Sequence, residues 1–112
     1  LRSNDKSICV EGTVFANDDP RIVSIDGFRI DAIPSGHMLI SRNIDRPGVI
    51  GFIGTVLGEH AINIAAMFNS RENTGGGALT VYNIDDPISE DIQKQLISDD
   101  RITDIYYISL TK

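Results

Sequence analysis

The sequence contains little cysteine, no tryptophan and no run of positive charge. Cys9 is the only cysteine, which excludes an internal disulfide and a thiolate cluster for zinc and favours a reduced, cytoplasmic setting. The net charge is −6 and no segment is rich in Lys or Arg, so neither a nucleic acid nor a membrane surface is an expected partner. No apolar run reaches the roughly 20 residues that a transmembrane helix needs.

The chain has 112 residues, of which 41% are hydrophobic, as is typical of one or two small globular units. It lacks an initiating methionine and a signal-peptide pattern at its start. Because its first residues resemble a strand inside a domain, we expect this sequence to be a piece of a longer polypeptide.

The first third of the chain is predicted to form three antiparallel strands. Residues 8–15 and 22–25 are rich in β-branched side chains, with a predicted turn at residues 17–20 between them. Asp26-Gly27 is typical of a two-residue type I′ hairpin, after which Phe28, Ile30 and Ala32 share one face of the third strand. Three strands without a covering layer bury little, so we expect them to complete a domain whose other part lies elsewhere, with a boundary at residues 34–36.

The remainder alternates between strand and helix patterns. Strands are predicted at residues 37–43, 64–70, 78–84 and 102–110, and helices at residues 47–60 and from Ser89 onward, where Ser89 is the predicted N-cap. The first helix has an apolar face with three-and-four spacing, formed by Val49, Phe52, Ile53, Val56, Leu57 and Ala61. The second has the apolar ridge Ile88, Ile92 and Leu96. The glycines in the first helix, Gly48, Gly51, Gly54 and Gly58, lead us to expect the close approach of another backbone or of a ligand.

From residue 37 the order strand, helix, strand, strand, helix, strand predicts an α+β, ferredoxin-like βαββαβ unit. Its four strands form an antiparallel sheet with both helices on one face. The strand that begins near Ile64 then lies at a sheet edge, where its unpaired backbone groups favour pairing with a second copy. We therefore expect a homodimer with a continuous sheet.

Polar groups cluster where the strand at residues 37–43 meets the first helix. Asn43 and Asp45 project to one side if the strand persists that far, and Pro47 suits the first helical turn. The free N–H groups of the helix start favour an anion, whereas the Asp45 carboxylate favours a cation. A zwitterionic amino acid satisfies both, although Asp45 as a plain helix cap and Asn63 as a plain turn residue are alternatives.

Two motifs in tandem resemble known families. Residues 45–51, 57–60 and 62–65 (DRPGVIG, LGEH and INIA) closely resemble the ACT domain, a small regulatory module that senses amino acids. Joined to residues 25–39, they resemble the C-terminal part of the long-form D-3-phosphoglycerate dehydrogenase family. The resemblance extends over residues 22–110. It implies that residues 1–35 are the last strands of an intervening allosteric substrate-binding domain and that residues 36–112 are an ACT domain.

The resemblance also implies a function and a site. The parent enzyme is an NAD-dependent oxidoreductase of L-serine biosynthesis, whose catalytic and NAD-binding regions lie outside this segment, so neither catalytic residues nor a cofactor or metal is expected here. The effector, L-serine, is held between two ACT domains. Carried over by motif, the effector-binding positions are Asn43, Asp45, Arg46, Gly48, Val49 and Ile50 of one chain, with Asn63 and Ile64 of its neighbour.

Other assignments stay open at this level. The segment is also compatible with the regulatory region of an L-serine dehydratase, or with a dimerisation module that binds no ligand. Arg21, Arg29 and Arg42 are candidates for an anion site, with solvated arginines as the ordinary alternative. Cys9 is expected to be a small buried or half-buried side chain rather than a nucleophile. His37 and His60 lack partners at metal-ligand spacing.

Overall fold

A computed structural model describes residues 9–16, 18–44, 48–71 and 77–110, together with the backbone of residues 2–3 and 6–7. Its elements in chain order are β1 (Arg2–Ser3), β2 (Lys6–Ser7), β3 (Val10–Phe15), β4 (Asp19–Ile25), β5 (Phe28–Ala32), β6 (His37–Ile44), α1 (Val49–Glu59), β7 (Ile64–Arg71), β8 (Gly77–Ile84), α2 (Glu90–Ile97) and β9 (Ile102–Ser109). The predicted α+β class is confirmed. None of the helices in this part of the chain is long and apolar enough to span a membrane.

The predicted three-strand meander is present, as an antiparallel sheet in the order β3-β4-β5. Asp26 and Gly27 have φ angles of 48° and 83°, as the predicted type I′ hairpin requires. The predicted turn at residues 17–20 is partly wrong, because β4 already begins at Asp19 and Pro20 pairs with Val14. On its other side β4 pairs with β5 only from Ile22 onward. Pro20 therefore has a neighbouring strand on one side only, where a proline without an N–H is tolerated.

The second sheet has the order β7-β8-β6-β9, with every neighbouring pair antiparallel. This is the strand order of a ferredoxin-like unit, and it places β7 at an edge, as predicted. The contiguous apolar residues Met38, Leu39 and Ile40 of the central strand β6 are all buried, because both faces of this sheet are covered.

The two faces of the sheet have different covers. Leu39 and Tyr82 pack with α1 and α2 in one core cluster. Met38, Ile40 and Val81 pack with the meander in the other. This chain's own sheet therefore covers the apolar face of the meander, whereas the expectation that the meander completes a domain whose other part lies elsewhere stays a prediction. The division into two domains at residue 36 stays a prediction.

Arg42 and Asn83 connect the meander to the four-stranded sheet. The Arg42 guanidinium lies 5.4 Å from the centre of the Phe28 ring and 3.8 Å from an Asp26 carboxylate oxygen. The Asn83 amide nitrogen donates to the Ile33 carbonyl at 3.1 Å. These contacts join β6 and β8 to the β4–β5 hairpin and to the linker that follows β5.

Helix α1 buries Val49, Ile53, Val56 and Leu57, with Phe52 partly buried against the same core. Ala61, assigned to this apolar face from the sequence, is instead exposed, because the chain leaves the helix there with a φ of 58°. No described residue of this chain approaches the interior glycines closely, so the expected approach of another backbone or of a ligand stays a prediction. A Cβ on Gly51, Gly54 or Gly58 would meet no atom of the described residues within 4 Å.

Helix α2 begins as predicted. The Ile92 backbone N–H donates to the Ser89 hydroxyl at 3.3 Å, Glu90 and Asp91 occupy the first turn, and the ridge Ile88, Ile92 and Leu96 is buried. Cys9, in contrast, is exposed rather than buried, because it precedes β3, where its backbone pairs with Asp26.

Candidate functional site

The start of α1 is an open helix N-terminus. Its N-cap is Gly48, in the left-handed region with a φ of 91°, and no side chain among the described residues caps it. The first intrahelical bond runs from Phe52 N–H to the Gly48 carbonyl, so the N–H groups of Val49, Ile50 and Gly51 have no partner within the helix. Val49 is buried and Ile50 is 42% exposed. Such an end attracts an anion.

Asn43 lies next to this helix start, at the end of β6, and is only 8% exposed. Its side-chain nitrogen donates to the Ile44 carbonyl at 2.8 Å, and its Oδ1 accepts a long bond of 3.4 Å from the Ser41 hydroxyl. The amide is therefore oriented by its neighbours, with Oδ1 as its weakly used group. Asp45 and Arg46, the other predicted residues here, lie outside the described residues.

Asn63 and Ile64 lie at the opposite end of the sheet. In the strand register Ile64 pairs with Ile84, which pairs with His37, whereas Asn43 pairs with Ala78, which pairs with Arg71. The two ends are separated by the six steps along β6 from His37 to Asn43, which amount to about 20 Å. Asn63 is exposed and donates to Asp85 at 3.0 Å. Within one chain the predicted site residues therefore form two groups that do not meet.

Arg101, which is not among the predicted site residues, borders the α1 start from the turn between α2 and β9. Its carbonyl accepts from the Ile44 N–H at 2.9 Å, and its Nη1 lies 3.0 Å from where a Cβ on Gly48 would be. Two side-chain bonds to Asp99, of 2.9 and 2.8 Å, fix the guanidinium. These bonds also hold the pKa of Asp99 at about 2. Arg101 thus bonds to Ile44 and lies beside Gly48, a position that no local motif indicates.

A second missed feature is a buried polar group on the helix-facing side of β6 and β8. It consists of Ser41, Thr80 and Tyr82, which are at most 1% exposed, and it adjoins Asn43. Thr80 donates to Asn69 on the edge strand at 2.9 Å. The Tyr82 hydroxyl has no partner among the described residues, and its burial raises its pKa to about 12 against the opposing influence of the Ser41 and Thr80 hydroxyls. An alternating strand predicts burial, but not which polar side chains it buries.

The candidate arginines do not form a common anion site. Arg21 pairs with Asp19 and Asp31 at 3.2 and 2.8 Å, and Arg42 faces Asp26. Arg29 lines a shallow cavity of about 580 Å³ on the meander, beside Glu11. His37 contacts the Tyr107 hydroxyl at 2.6 Å and His60 contacts Gln95 at 3.0 Å. Among the described residues no three His, Cys, Asp or Glu side chains are grouped for a metal.

The fold and this helix start define a class: a ferredoxin-like α+β unit with a helix N-terminus that no described side chain caps, beside its central strand. No protein-family model matches the chain. Relatives named D-3-phosphoglycerate dehydrogenase nevertheless match nearly all of it. The relative from Archaeoglobus fulgidus is 38% identical over 112 residues, 98% of this chain and 21% of its own length. The relative from Methanocaldococcus jannaschii is 33% identical over 96% of this chain and 20% of its own length, and that from Bacillus subtilis is 37% identical over 90% and 19%.

The chain therefore spans about a fifth of the length of these relatives. The resemblance to a segment of D-3-phosphoglycerate dehydrogenase, predicted from the two tandem motifs, is confirmed.

Proposed function

We propose that this chain is the C-terminal regulatory region of a cytoplasmic, NAD-dependent D-3-phosphoglycerate dehydrogenase, and that it binds L-serine between two copies of its ACT-like unit. The names of the relatives support the parent enzyme and favour it over an L-serine dehydratase. The reaction itself, oxidation of 3-phosphoglycerate with NAD, belongs to parts of the enzyme outside this segment.

One observation carries the proposal of a shared site: the two groups of site residues lie at opposite ends of one sheet. If the edge strand β7 pairs antiparallel with β7 of a second copy, the start of one strand adjoins the end of the other. The Asn63 end of one copy is thereby brought to the Arg71 end of its partner, where β6 also ends at Asn43. A twofold dimer then has two equivalent sites, each built from both chains.

The surfaces near this edge suit such pairing. Met67 on β7 is 45% exposed and Ile50 on α1 is 42% exposed. One face of α1 carries residues spaced by four, namely Ile50, Gly54 and Gly58. Because the two glycines have no side chain and no described atom lies within 4 Å of where their Cβ atoms would be, a second chain can approach this face. An unpaired edge strand with exposed apolar side chains favours association with another strand.

The groups at the α1 start match the three polar parts of L-serine. The free N–H groups of Val49 and Ile50 suit the carboxylate, Asp45 suits the ammonium, and the Asn43 Oδ1 atom suits the hydroxyl as an acceptor. The exposed Asn63 amide of the second chain completes the site. Serine then stabilises one arrangement of the dimer over others. If a distant site is coupled to that arrangement, serine binding changes the properties of the distant site, with a coupling free energy of about 1 to 3 kcal/mol in typical cases.

Calorimetry with L-serine and sedimentation of the chain test the proposal together. We expect heat from binding, one serine per chain, and a tighter dimer in its presence. Asp45→Ala and Asn63→Ala should each abolish binding. In a homodimer of either variant, both sites lack the replaced residue.

Mixing these two variants gives the decisive measurement. A mixed dimer carries one site with both residues intact and one site with both replaced, so binding should return to at most one serine per mixed dimer. No recovery on mixing, with dimers present, would contradict a site shared between chains. Undiminished binding by either single variant would contradict its placement, and dimerisation without any serine binding would leave the purely structural role.

A further inference from the structure

The buried hydroxyls beneath the effector site are arranged unusually. Ser41 and Thr80 lie directly opposite each other in the register of β6 and β8, and both hydroxyls bond away from Tyr82, one to Asn43 at 3.4 Å and the other to Asn69 at 2.9 Å. Tyr82 is fully buried and its hydroxyl makes no hydrogen bond of normal length with the described residues, although the Ser41 and Thr80 hydroxyls lie near enough to oppose the rise of its pKa. A buried group without a partner is costly, so an arrangement that satisfies it is favoured whenever one becomes accessible.

The Ser41 hydroxyl has the weaker of the two bonds. At 3.4 Å its contact with the Asn43 Oδ1 atom is at the long limit of a hydrogen bond, whereas the Thr80 bond of 2.9 Å is of normal length. The Asn43 side-chain nitrogen is held by the Ile44 carbonyl, so the Oδ1 atom keeps its place if Ser41 leaves. Releasing Ser41 therefore costs little and frees one acceptor.

We propose that Ser41 and Tyr82 are positioning residues of the effector site, and that Ser41 exchanges its bond with Asn43 for one with Tyr82 when an effector donates to Asn43. This inference rests on the proposed function, because it takes Asn43 as an effector contact. The exchange gives Tyr82 the partner it lacks while the effector takes over the Asn43 Oδ1 atom. The exchange favours effectors that can donate a hydrogen bond to the Asn43 Oδ1 atom, such as a small amino acid with a side-chain hydroxyl.

Tyr82→Phe tests the exchange, with Tyr107→Phe as the matched control. Tyr107 also carries a hydroxyl, but it already contacts His37 at 2.6 Å, and it lies on β9, at the edge of the sheet opposite β7. We expect Tyr82→Phe to keep or raise the melting temperature and to weaken L-serine binding about fivefold, as expected for the loss of one neutral hydrogen bond. Tyr107→Phe should lower the melting temperature and leave the serine affinity unchanged.

Ser41→Ala tests the same exchange from the other partner. In a chain with Ser41→Ala, adding Tyr82→Phe should have no further effect on serine affinity, because no hydroxyl remains to transfer. Calorimetry of the four proteins in this cycle measures that dependence. A fivefold loss that persists in the Ser41→Ala background would overturn the role of Ser41.

The remaining outcomes separate this inference from the proposed function. If the wild type binds serine and Tyr82→Phe binds it equally well, the exchange is overturned and the proposed function stands. If Tyr82→Phe lowers the melting temperature as much as Tyr107→Phe does, the hydroxyl is already paired and the exchange is overturned. A wild-type dimer that binds no serine overturns both.

Discussion

The two helices of this chain begin in opposite ways. Helix α2 starts at Ser89, whose hydroxyl accepts from the Ile92 N–H, and two acidic residues follow in its first turn. Helix α1 starts at Gly48, which has no side chain to offer, and its first turn contains no acid. Both ends have the same unpaired N–H groups and the same partial positive charge. The Ser89 hydroxyl satisfies one of these groups at α2, whereas no side chain among the described residues does so at α1.

The difference separates a helix start that the chain itself stabilises from one to which we assign the proposed ligand. A capped start with acidic neighbours repels an anionic ligand and holds its own helix in place. An uncapped start beside a buried amide, bordered by an arginine fixed on Asp99, is suited to an anion from outside. Changes at the two starts should therefore affect different properties.

Gly48→Ala should have the largest effect, since it changes the open start directly. The φ of 91° is unfavourable for alanine, and the added Cβ would lie 3.0 Å from the Arg101 Nη1 atom. We expect a loss of about 1 to 2 kcal/mol of unfolding free energy together with loss of serine binding. Urea denaturation and calorimetry measure the two effects.

Gly58→Ala is the matched control for Gly48→Ala in the same helix. Its φ is not in the left-handed region and its Cβ would meet no described atom within 4 Å. Alanine there should stabilise the chain by about 0.5 to 1 kcal/mol. If both substitutions destabilise the chain equally, the left-handed start is not what distinguishes Gly48.

Ser89→Ala should have the next largest effect, and on stability alone. Removing the hydroxyl leaves the Ile92 N–H without its cap, which costs about 1 kcal/mol of unfolding free energy. Because Ser89 belongs to the helix start that is satisfied internally, serine affinity should not change. A change in affinity of more than about twofold, equivalent to about 0.4 kcal/mol, would show that the two starts do not act independently.

The contrast between the helix starts could be predicted only in part from the sequence. Ser89 followed by Glu90 and Asp91 is a local signal, and the predicted cap is present. The ferredoxin-like order followed from the alternation of strand and helix patterns, and the hairpin followed from Asp26-Gly27. These features depend on neighbours along the chain, which is why sequence reasoning finds them.

Features that depend on contacts between distant segments could not be predicted in this way. Arg101 lies more than fifty positions after Gly48, and its place beside the α1 start depends on the return of β9 next to β6. The cover that the four-stranded sheet gives to the meander likewise joins segments far apart in the chain. The alternation of the strand predicts a buried or half-buried Cys9, but Cys9 lies before the strand begins and is exposed.

Acid titration should have the smallest effect and tests the role of Asp99 at the open start. Hydrogen bonds from Arg101 lower the pKa of Asp99 from 3.8 to about 2, so the folded state favours its ionised form. The resulting stability is present above about pH 4 and is lost as the pH falls through about 2. Asp99→Asn should therefore be less stable than the wild type at pH 7, and the gap should narrow towards pH 2.

The difference in stability between Ser89→Ala and the wild type should not change between pH 7 and pH 2, because a serine hydroxyl does not titrate there. Thermal unfolding of the three proteins at a series of pH values compares the two starts directly. If the Asp99→Asn gap is as large at pH 2 as at pH 7, the charge of Asp99 does not hold Arg101 in place. The α1 start would then depend on Gly48 and on the backbone bond between Ile44 and Arg101 rather than on that charge.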